Sequence, residues 1–326
     1  MSKRLAIAIT GPTAAGKTAV GIEVAKALGG EIVSVDSRQI FRHMDIGTAK
    51  PTPAERARVI HHFVDVRQPT EEYSAGRFGA DARRCINELL SRKVVPVLVG
   101  GSGLYMRAIL DGLFDEPAAV QRLRPQLLQR LRTEGLAALY AELATVDPVG
   151  HARIAPQDTQ RILRALEVGL GAGESLTNMQ QGEAGASLAV FPLLFGIGME
   201  RKRLYARIED RVEDMIRRGL CDEVADLKKM GYGRHTRAMG TMGYREVLDY
   251  VDGVSTLQTA VDLVKRRSKQ YAKRQLTWFR KDRRVRWIDL DTWNTRGVVS
   301  RILSNYYSQQ NPKFHCFQED AFAVDS

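Results

Sequence analysis

A chain of 326 residues, 44% of them hydrophobic, is long enough to bury a substantial core, and we expect one large domain with an insertion. Its net charge of +11 favours an anionic partner, whereas no apolar run approaches the ~20 residues of a membrane-spanning helix, so we expect no membrane association. Three scattered cysteines without CxxC spacing indicate a reducing, cytoplasmic setting and argue against a disulfide framework and a zinc site.

Hydrophobic periodicity predicts five strands separated by helical segments, at residues 5–10, 31–35, 94–99, 190–197 and 285–290. This alternation is typical of an α/β fold with a mainly parallel sheet covered by helices. Between residues 114 and 186 the pattern is helical throughout, which predicts an inserted all-helical domain. Residues 1–113 and 187–311 form the expected core, and we expect a disordered tail at 312–326.

The segment GPTAAGKT, residues 11–18, follows the first predicted strand and precedes a helical pattern. A glycine, four further residues and then Gly-Lys-Thr are typical of a phosphate-binding loop, in which backbone N–H groups converge on phosphate oxygens, Lys17 neutralises their charge and Thr18 can bind Mg²⁺. We therefore interpret the core as a P-loop NTPase-like sheet. The expected phosphate ligands are Gly11, Thr13, Ala14, Ala15, Gly16, Lys17 and Thr18.

A kinase or ATPase with such a loop normally has a second apolar strand that ends in Asp and holds Mg²⁺. The third predicted strand ends instead in Gly-Gly-Ser-Gly, without a carboxylate. An acid does follow the second predicted strand, where Asp36 precedes Ser37, Arg38 and Gln39. Asp36 is then either the magnesium ligand of a kinase-like site or a general base beside the phosphates, with neighbours that could grip a nucleobase.

The positive charge is concentrated in one segment. Eleven Lys and Arg residues lie between Lys265 and Arg286 against a single acid, and Tyr271, Trp278 and Phe279 lie among them. Cations for phosphates and rings that can stack on unpaired bases favour a nucleic-acid surface. A solvated helix face is the alternative, because an apolar helical seam in the same segment would bury some of the rings. The expected nucleic-acid contacts are Lys273, Arg274, Arg280 and Lys281.

One further cation can be predicted from helical periodicity. Leu204, Ile208, Val212 and Met215 form the buried seam of a predicted helix, and Arg211 lies at the edge of that seam, about 60° from Ile208. A charge at the border of an apolar face usually has an anionic partner. On the residues alone, that partner is either a carboxylate of the chain or a bound anion.

Nine sequence blocks occur in an order that closely resembles the bacterial tRNA dimethylallyltransferases, the tRNA isopentenyltransferase family. They are GPTAAGKT, VDSRQIF, MDIGTAKP, HHFVDV, VLVGGSGLY, DTQRILRALEV, RLYARIEDRV, MGYRE and QYAKRQLTWFR. The resemblance extends from about residue 5 to residue 289. The chain departs from the family pattern at Ser102, Phe41 and Ala15, where Thr, Tyr and Ser are more usual, and these changes leave the assignment intact.

The resemblance implies that the loop binds the diphosphate of dimethylallyl diphosphate, with Mg²⁺ as cofactor. The five-carbon group would move to the exocyclic amino nitrogen of the adenosine just 3′ of the anticodon, in tRNAs that read codons beginning with U. Asp36 would be the catalytic base, and Lys17, Thr18 and Arg211 would act on the diphosphate. The implied tRNA contacts are Asp36, Ser37, Arg38, Gln39, Ser102, Arg124, Gln160, Arg161, Ile162, Leu163 and Arg164.

Two rival functions compete with this interpretation. A small-molecule or nucleotide kinase would turn over ATP, and a non-catalytic RNA-binding P-loop protein would tolerate the loss of the Asp36 carboxylate. His43, His61 and His62 have no Cys or carboxylate cluster at metal spacing, so we expect them to be structural. We also expect the protein to be a monomer.

Overall fold

The computed structural model of the chain describes residues 5–113, 118–181, 188 and 190–310. The chain divides into two compact units, the first made of Met1–Ile109 with Ala189–Ser326 and the second of Leu110–Leu188. The expected insertion, 114–186, falls within the second unit. The expected tail lies outside the described residues.

The first unit contains one sheet of six parallel strands in the order β3-β2-β4-β1-β5-β6. The strands are β1 (Leu5–Thr10), β2 (Glu31–Ser34), β3 (His61–His62), β4 (Pro96–Val99), β5 (Phe191–Gly198) and β6 (Arg286–Asp289). Every residue of β1, β2 and β4 is buried, which is why these strands are continuous apolar runs. The five predicted strands and the α/β class are confirmed. The edge strand β3 was missed because two residues have no period.

Fourteen α-helices are present among the described residues. They are α1 (Lys17–Leu28), α2 (Pro53–Arg58), α3 (Ala75–Ser91), α4 (Gly103–Leu110), α5 (Ala118–Thr133), α6 (Gly135–Val146), α7 (Pro148–Arg153), α8 (Thr159–Ala172), α9 (Leu176–Gln181), α10 (Arg201–Arg217), α11 (Leu220–Lys229), α12 (Tyr244–Val251), α13 (Leu257–Arg280) and α14 (Thr295–Gln310). Residues Arg237–Gly240 form a single 3-10 turn.

The core of the first unit lies between its sheet and the helices α1 and α14. Apolar side chains of β1 pack with Val24 of α1 and Ile302 of α14, all almost fully buried. Because parallel strands end at the same edge of a sheet, the loops after β1, β2 and β4 gather there, which is where α/β sheets bind their ligands.

The second unit is built from α5, α6, α7, α8 and α9. Its core contains Leu127, Leu139, Leu143 and Leu166 from three of these helices. The predicted helical pattern is therefore observed in the described part of this unit. Among the described residues, no helix combines the length and apolarity that crossing a membrane requires.

Candidate active site

The phosphate loop connects β1 to α1 through backbone conformations that favour glycine. Gly11 has φ +139° and Gly16 has φ +86°. A Cβ on Gly11 would lie 2.3 Å from the carbonyl oxygen of Ile197 on β5, so only glycine fits there. The helix α1 has no side-chain N-cap, which leaves its first N–H groups for a ligand. The loop therefore has the geometry of an anion-binding turn.

The ammonium of Lys17 lies beneath this loop and donates to the Pro12 carbonyl at 2.7 Å. Burial and the charge of Arg211 lower the pKa of Lys17 to about 7, against the opposing effect of Asp36. Burial therefore outweighs the stabilisation that the Asp36 charge gives to the Lys17 ammonium. A bound phosphate group would add negative charge beside that ammonium.

Arg211 extends from α10 toward the same loop. Its Nη1 donates to the hydroxyl of Thr13 at 3.2 Å, and burial and the charge of Arg38 lower the pKa of Arg211 to about 10. Arg207, one turn earlier, reaches within 3.8 Å of where a Cβ of Gly16 would lie. No carboxylate of the described chain forms an ion pair with either arginine, so the intramolecular salt bridge weighed for Arg211 is not observed there.

The seam predicted for α10 is confirmed, because Leu204, Ile208, Val212 and Met215 are its buried residues. Arg211 lies beside this seam, as its periodicity predicted. Arg207 was missed, since a lone exposed arginine on a charged helix has no signal in the sequence.

Asp36 follows β2, whose neighbour β4 also pairs with β1. Its Oδ1 accepts the backbone N–H groups of Arg38 at 2.8 Å and Gln39 at 3.4 Å. Among the described residues, Oδ2 accepts no hydrogen bond. The Asp36 charge opposes the lowering of the pKa of both Lys17 and Arg211. The carboxylate is thus fixed by one oxygen, close to the phosphate loop, with the other oxygen available.

The residues after Asp36 are fixed in turn. The Ser37 N–H donates to the hydroxyl of Ser102 at 3.2 Å. The amide of Gln39 donates to the Ala49 carbonyl at 3.1 Å, while its oxygen accepts the hydroxyl of Ser34 at the same distance. The structure brings the predicted residues 36–39 and Ser102 together at the carboxyl edge of the sheet. Both ends of the Gln39 side-chain amide thus form hydrogen bonds within the protein.

A cavity opens beside Thr13, with Arg38 and Arg211 on its polar side. Its apolar wall comes from α10, α13 and the segment before α12, through Ile208, Val212, Met215, Met242 and Val264. A polar end next to an apolar wall suits a ligand that carries both a charged and a hydrocarbon part.

The loop at 45–48 forms another wall of this cavity and is held by one carboxylate. Glu223 accepts the N–H groups of Asp45 at 2.9 Å, Ile46 at 2.8 Å and Gly47 at 3.2 Å. It also accepts the hydroxyl of Tyr244 at 2.6 Å, and burial and the Glu223 charge raise the pKa of Tyr244. The sequence does not indicate this role of Glu223, because the groups that it accepts from are distant in the chain.

The basic helix α13 has its predicted cations on the outside. All four are exposed: Lys273, Arg274, Arg280 and Lys281. Tyr271 lies between Arg38 and Arg274, with the guanidinium carbons 5.8 and 5.9 Å from its ring centre. Trp278 is 44% exposed, whereas Phe279 is 2% exposed. Phe279 therefore belongs to the core. The prediction that its ring stacks on a base is wrong.

The residues of the second unit that were predicted to contact RNA have the following partners within that unit. Arg124 donates to Glu167 at 2.7 Å and to Gln160 at 2.9 Å, and Arg164 lies 3.5 Å from Glu167. Arg161 is largely exposed beside Asp158. Ile162 and Leu163 are 0% and 1% exposed in the helical core. A side-chain contact of these two residues with RNA does not fit their burial.

Two of the three histidines predicted to be structural have protein partners: His62 contacts Glu31 at 2.7 Å and His61 the Val59 carbonyl at 2.8 Å. His43 is exposed. Within the described ranges, no three His, Cys, Asp or Glu side chains converge as a metal site.

Comparisons with known proteins fit this geometry. A family model described as IPP transferase matches residues 39–282. The tRNA dimethylallyltransferase of Desulforudis audaxviator is 47% identical over 87% of this chain and 92% of that protein, and that of Geobacter sulfurreducens is 44% identical over 88% and 93%.

Solved structures agree with these relatives. The full-length tRNA isopentenylpyrophosphate transferase of Bacillus halodurans is 37% identical, covers 96% of this chain and 100% of that chain, and superposes with a TM-score of 0.69. A eukaryotic dimethylallyltransferase acting on tRNA has the same fold at a TM-score of 0.77, with 24% identity over 94% of this chain and 79% of that chain. The chain therefore belongs to the IPP transferase family, together with proteins named tRNA dimethylallyltransferase.

Proposed function

We propose that this protein transfers a dimethylallyl group from dimethylallyl diphosphate to the exocyclic amino nitrogen of the adenosine 3′ to the anticodon in tRNA. The observation that carries the proposal is a phosphate loop whose cations have no carboxylate partner in the described chain, with Asp36 beside it. Membership of the IPP transferase family supports the same reaction. A kinase is disfavoured because β4 ends at Val99 and is followed by Gly100 and Gly101, with no acid.

The diphosphate binds in the loop. The free N–H groups at the start of α1 donate to its oxygens, and Lys17, Arg207 and Arg211 supply positive charge. As the bond between the allyl carbon and the diphosphate oxygen breaks, its electron pair leaves with the diphosphate. These groups stabilise that growing charge more than they stabilise the bound substrate, which is what lowers the barrier.

Asp36 acts as the general base. The amino nitrogen of adenine is a poor nucleophile because its lone pair is delocalised into the ring. A carboxylate that accepts the amino proton while the new C–N bond forms is worth about 10²–10⁴-fold in rate. Oδ1 holds the N–H groups of Arg38 and Gln39, so Oδ2 receives the proton and later returns it to solvent.

The cavity beside Thr13 receives the hydrocarbon part of the donor. Its polar side carries Arg211, and its apolar wall includes Ile208, Val212 and Met215. Burying methyl groups against such a wall stabilises binding by about 0.8 kcal/mol per CH₂. The cavity thus orients the allyl carbon while its diphosphate remains in the loop.

RNA binds along the basic face of α13. Lys273, Arg274, Arg280 and Lys281 are exposed, and such cations gain affinity by releasing counterions from phosphates. The target adenosine must leave its stack to reach Asp36, at a cost of a few kcal/mol, and these contacts offset that cost. Within the second unit, the exposed Arg161 of α8 would contact RNA phosphates.

Mg²⁺ is part of the proposal. Thr18 lies half-buried in the first turn of α1, where its hydroxyl would hold the ion together with diphosphate oxygens and water. This suits an ion that usually takes only one or two protein ligands at phosphate sites. Mg²⁺ would supply additional positive charge to the leaving group.

The decisive experiment incubates the purified protein with unmodified tRNA, dimethylallyl diphosphate and Mg²⁺, digests the RNA and weighs its nucleosides. We expect one dimethylallylated adenosine per tRNA. A parallel reaction with ATP in place of the donor should release no phosphate. Rapid ATP hydrolysis without any prenylated nucleoside would instead support the kinase. The monomeric state of the protein and its location in the cytoplasm stay predictions.

A further inference from the structure

Gln275 on α13 joins two loops of the site through one carboxamide. Its Oε1 accepts the backbone N–H of Thr13 at 2.8 Å, and its Nε2 donates to the carbonyl of Gly101 at 2.9 Å. Gln275 as a whole is 6% exposed. Both ends of a buried amide are therefore satisfied, one by the phosphate loop and the other by the loop after β4.

The surroundings are shaped around this carboxamide. A Cβ on Gly101 would lie 2.2 Å from Nε2 of Gln275 and 3.1 Å from the carbonyl oxygen of Gly11. A side chain at position 101 would push the amide out of place. Glutamine is also the residue that combines a donor and an acceptor at this reach, because glutamate has no donor and asparagine is one methylene shorter.

The helix that carries Gln275 is also the basic helix. Lys273 and Arg274 come immediately before it and are exposed, whereas Gln275 faces inward. One turn earlier, Tyr271 lies beneath the guanidinium of Arg38, in the loop that carries Asp36. The outer face of α13 thus binds RNA in the proposed function, while its inner face contacts the phosphate loop.

We propose that Gln275 is a positioning residue that couples RNA binding on α13 to diphosphate binding in the phosphate loop. RNA fixes α13, and the carboxamide then fixes the N–H and side chain of Thr13, the residue that also accepts from Arg211. Coupling of this kind is reciprocal, so diphosphate strengthens RNA binding by the same factor. The inference rests on the proposed function.

Calorimetry of inorganic diphosphate, with and without a saturating anticodon stem-loop RNA, tests the coupling. In the native chain we expect RNA to lower the diphosphate dissociation constant by about fivefold or more. In Gln275→Met the two dissociation constants should agree within about twofold, while RNA affinity in the absence of diphosphate is unchanged. Gln258→Met is the matched control: an exposed glutamine of the first turn of α13 whose side chain hydrogen-bonds to Asp262 and which should retain the full factor.

Gln275→Asn provides a second variant in case the methionine variant does not fold, because the shorter amide cannot satisfy both loops. A folded variant that keeps the native coupling factor, or a native chain with no coupling, overturns the inference. Prenyl transfer is assayed separately on the native chain. Transfer without coupling defeats this inference alone, whereas absence of transfer defeats the proposed function.

Discussion

Arg211 and Thr13 lie 198 positions apart in the chain, and the guanidinium of Arg211 donates to the Thr13 hydroxyl at 3.2 Å. This hydrogen bond directs a cation of α10 to the phosphate loop. The same guanidinium has a lowered pKa, because burial and neighbouring arginines disfavour its charge. An anion that binds here therefore removes an existing electrostatic cost.

Replacing Arg211 should weaken the stabilisation of the diphosphate group by the protein. Arg211→Gln removes a charged donor worth about 1.5–3 kcal/mol, so we expect kcat/KM for the prenyl donor to fall by about 10- to 150-fold. Arg217→Gln is the control, since Arg217 is 74% exposed at the side chain and pairs with Asp214. Steady-state kinetics at saturating tRNA gives the comparison. Equal activity of the two variants would remove Arg211 from the site.

Replacing the proposed base should separate catalysis from binding. Asp36→Asn keeps an acceptor for the Arg38 N–H but cannot take up the amino proton. We expect the single-turnover rate to fall by about 10²–10⁴-fold, with tRNA affinity nearly unchanged. Asp210→Asn, at an exposed position of α10, serves as the control. A variant that loses affinity and rate together would make Asp36 a binding residue.

Removing Lys281, the exposed cation that follows the last residue of α13, should change the salt dependence of RNA binding. Lys281→Ala is expected to weaken binding to every tRNA alike and to lower the slope of log K against log salt by about 0.7–0.9. The control is Lys229→Ala, an exposed lysine of α11 that pairs with Asp226. Binding titrations at four salt concentrations measure both slopes. An unchanged slope for Lys281→Ala would place RNA elsewhere.

The lowered pKa of Lys17 predicts a pH-dependent affinity for the donor. Above pH 7 the free protein increasingly carries neutral Lys17, and a bound diphosphate favours the ammonium, so binding takes up a proton. The association constant should fall by up to about tenfold per pH unit between roughly pH 7.5 and 9. Calorimetry in buffers of different ionisation enthalpy counts the protons. Lys17→Met should lose this uptake, whereas Lys26→Met, exposed on α1, should keep it.

Glu223 should contribute to stability through the 45–48 loop. Glu223→Gln exchanges a charged acceptor of three backbone N–H groups for a neutral one, and we expect the free energy of unfolding to fall by about 1.5–3 kcal/mol. Urea denaturation measures the loss. Asp222→Asn, at the preceding exposed position, should change it by less than about 0.5 kcal/mol. Similar losses in both would indicate a general charge effect.

Local signals in the sequence predicted several of the residues that the structure brings together at the carboxyl edge of the sheet. The phosphate loop, Asp36 and the Arg211 seam each depend on residues close together in the chain, so their periodicity or spacing was sufficient. Glu223 was out of reach because it acts on backbone groups 176 to 178 positions away. The role of Gln275 was out of reach for the same reason, since a sequence does not show which distant N–H the oxygen of a buried amide accepts.

Neighbouring residues with the same predicted role differ in how far they are buried. On α8, Arg161 is exposed while Ile162 and Leu163 are enclosed. A family motif gives the position of a block but not which of its side chains face solvent. On α13, Trp278 and Phe279 differ in the same way, because adjacent residues of a helix point about 100° apart.

The N–H of Leu188 donates to the carbonyl of Leu110 at 3.3 Å, so the helical unit begins and ends at neighbouring points. A few residues of linker would bridge that gap. Excision of the whole segment would then leave the register of β1, β4 and β5 untouched, and the reverse operation would graft it onto another scaffold. The close approach of its two ends makes the segment an exchangeable module whose loss or gain requires no change in the strands of the sheet.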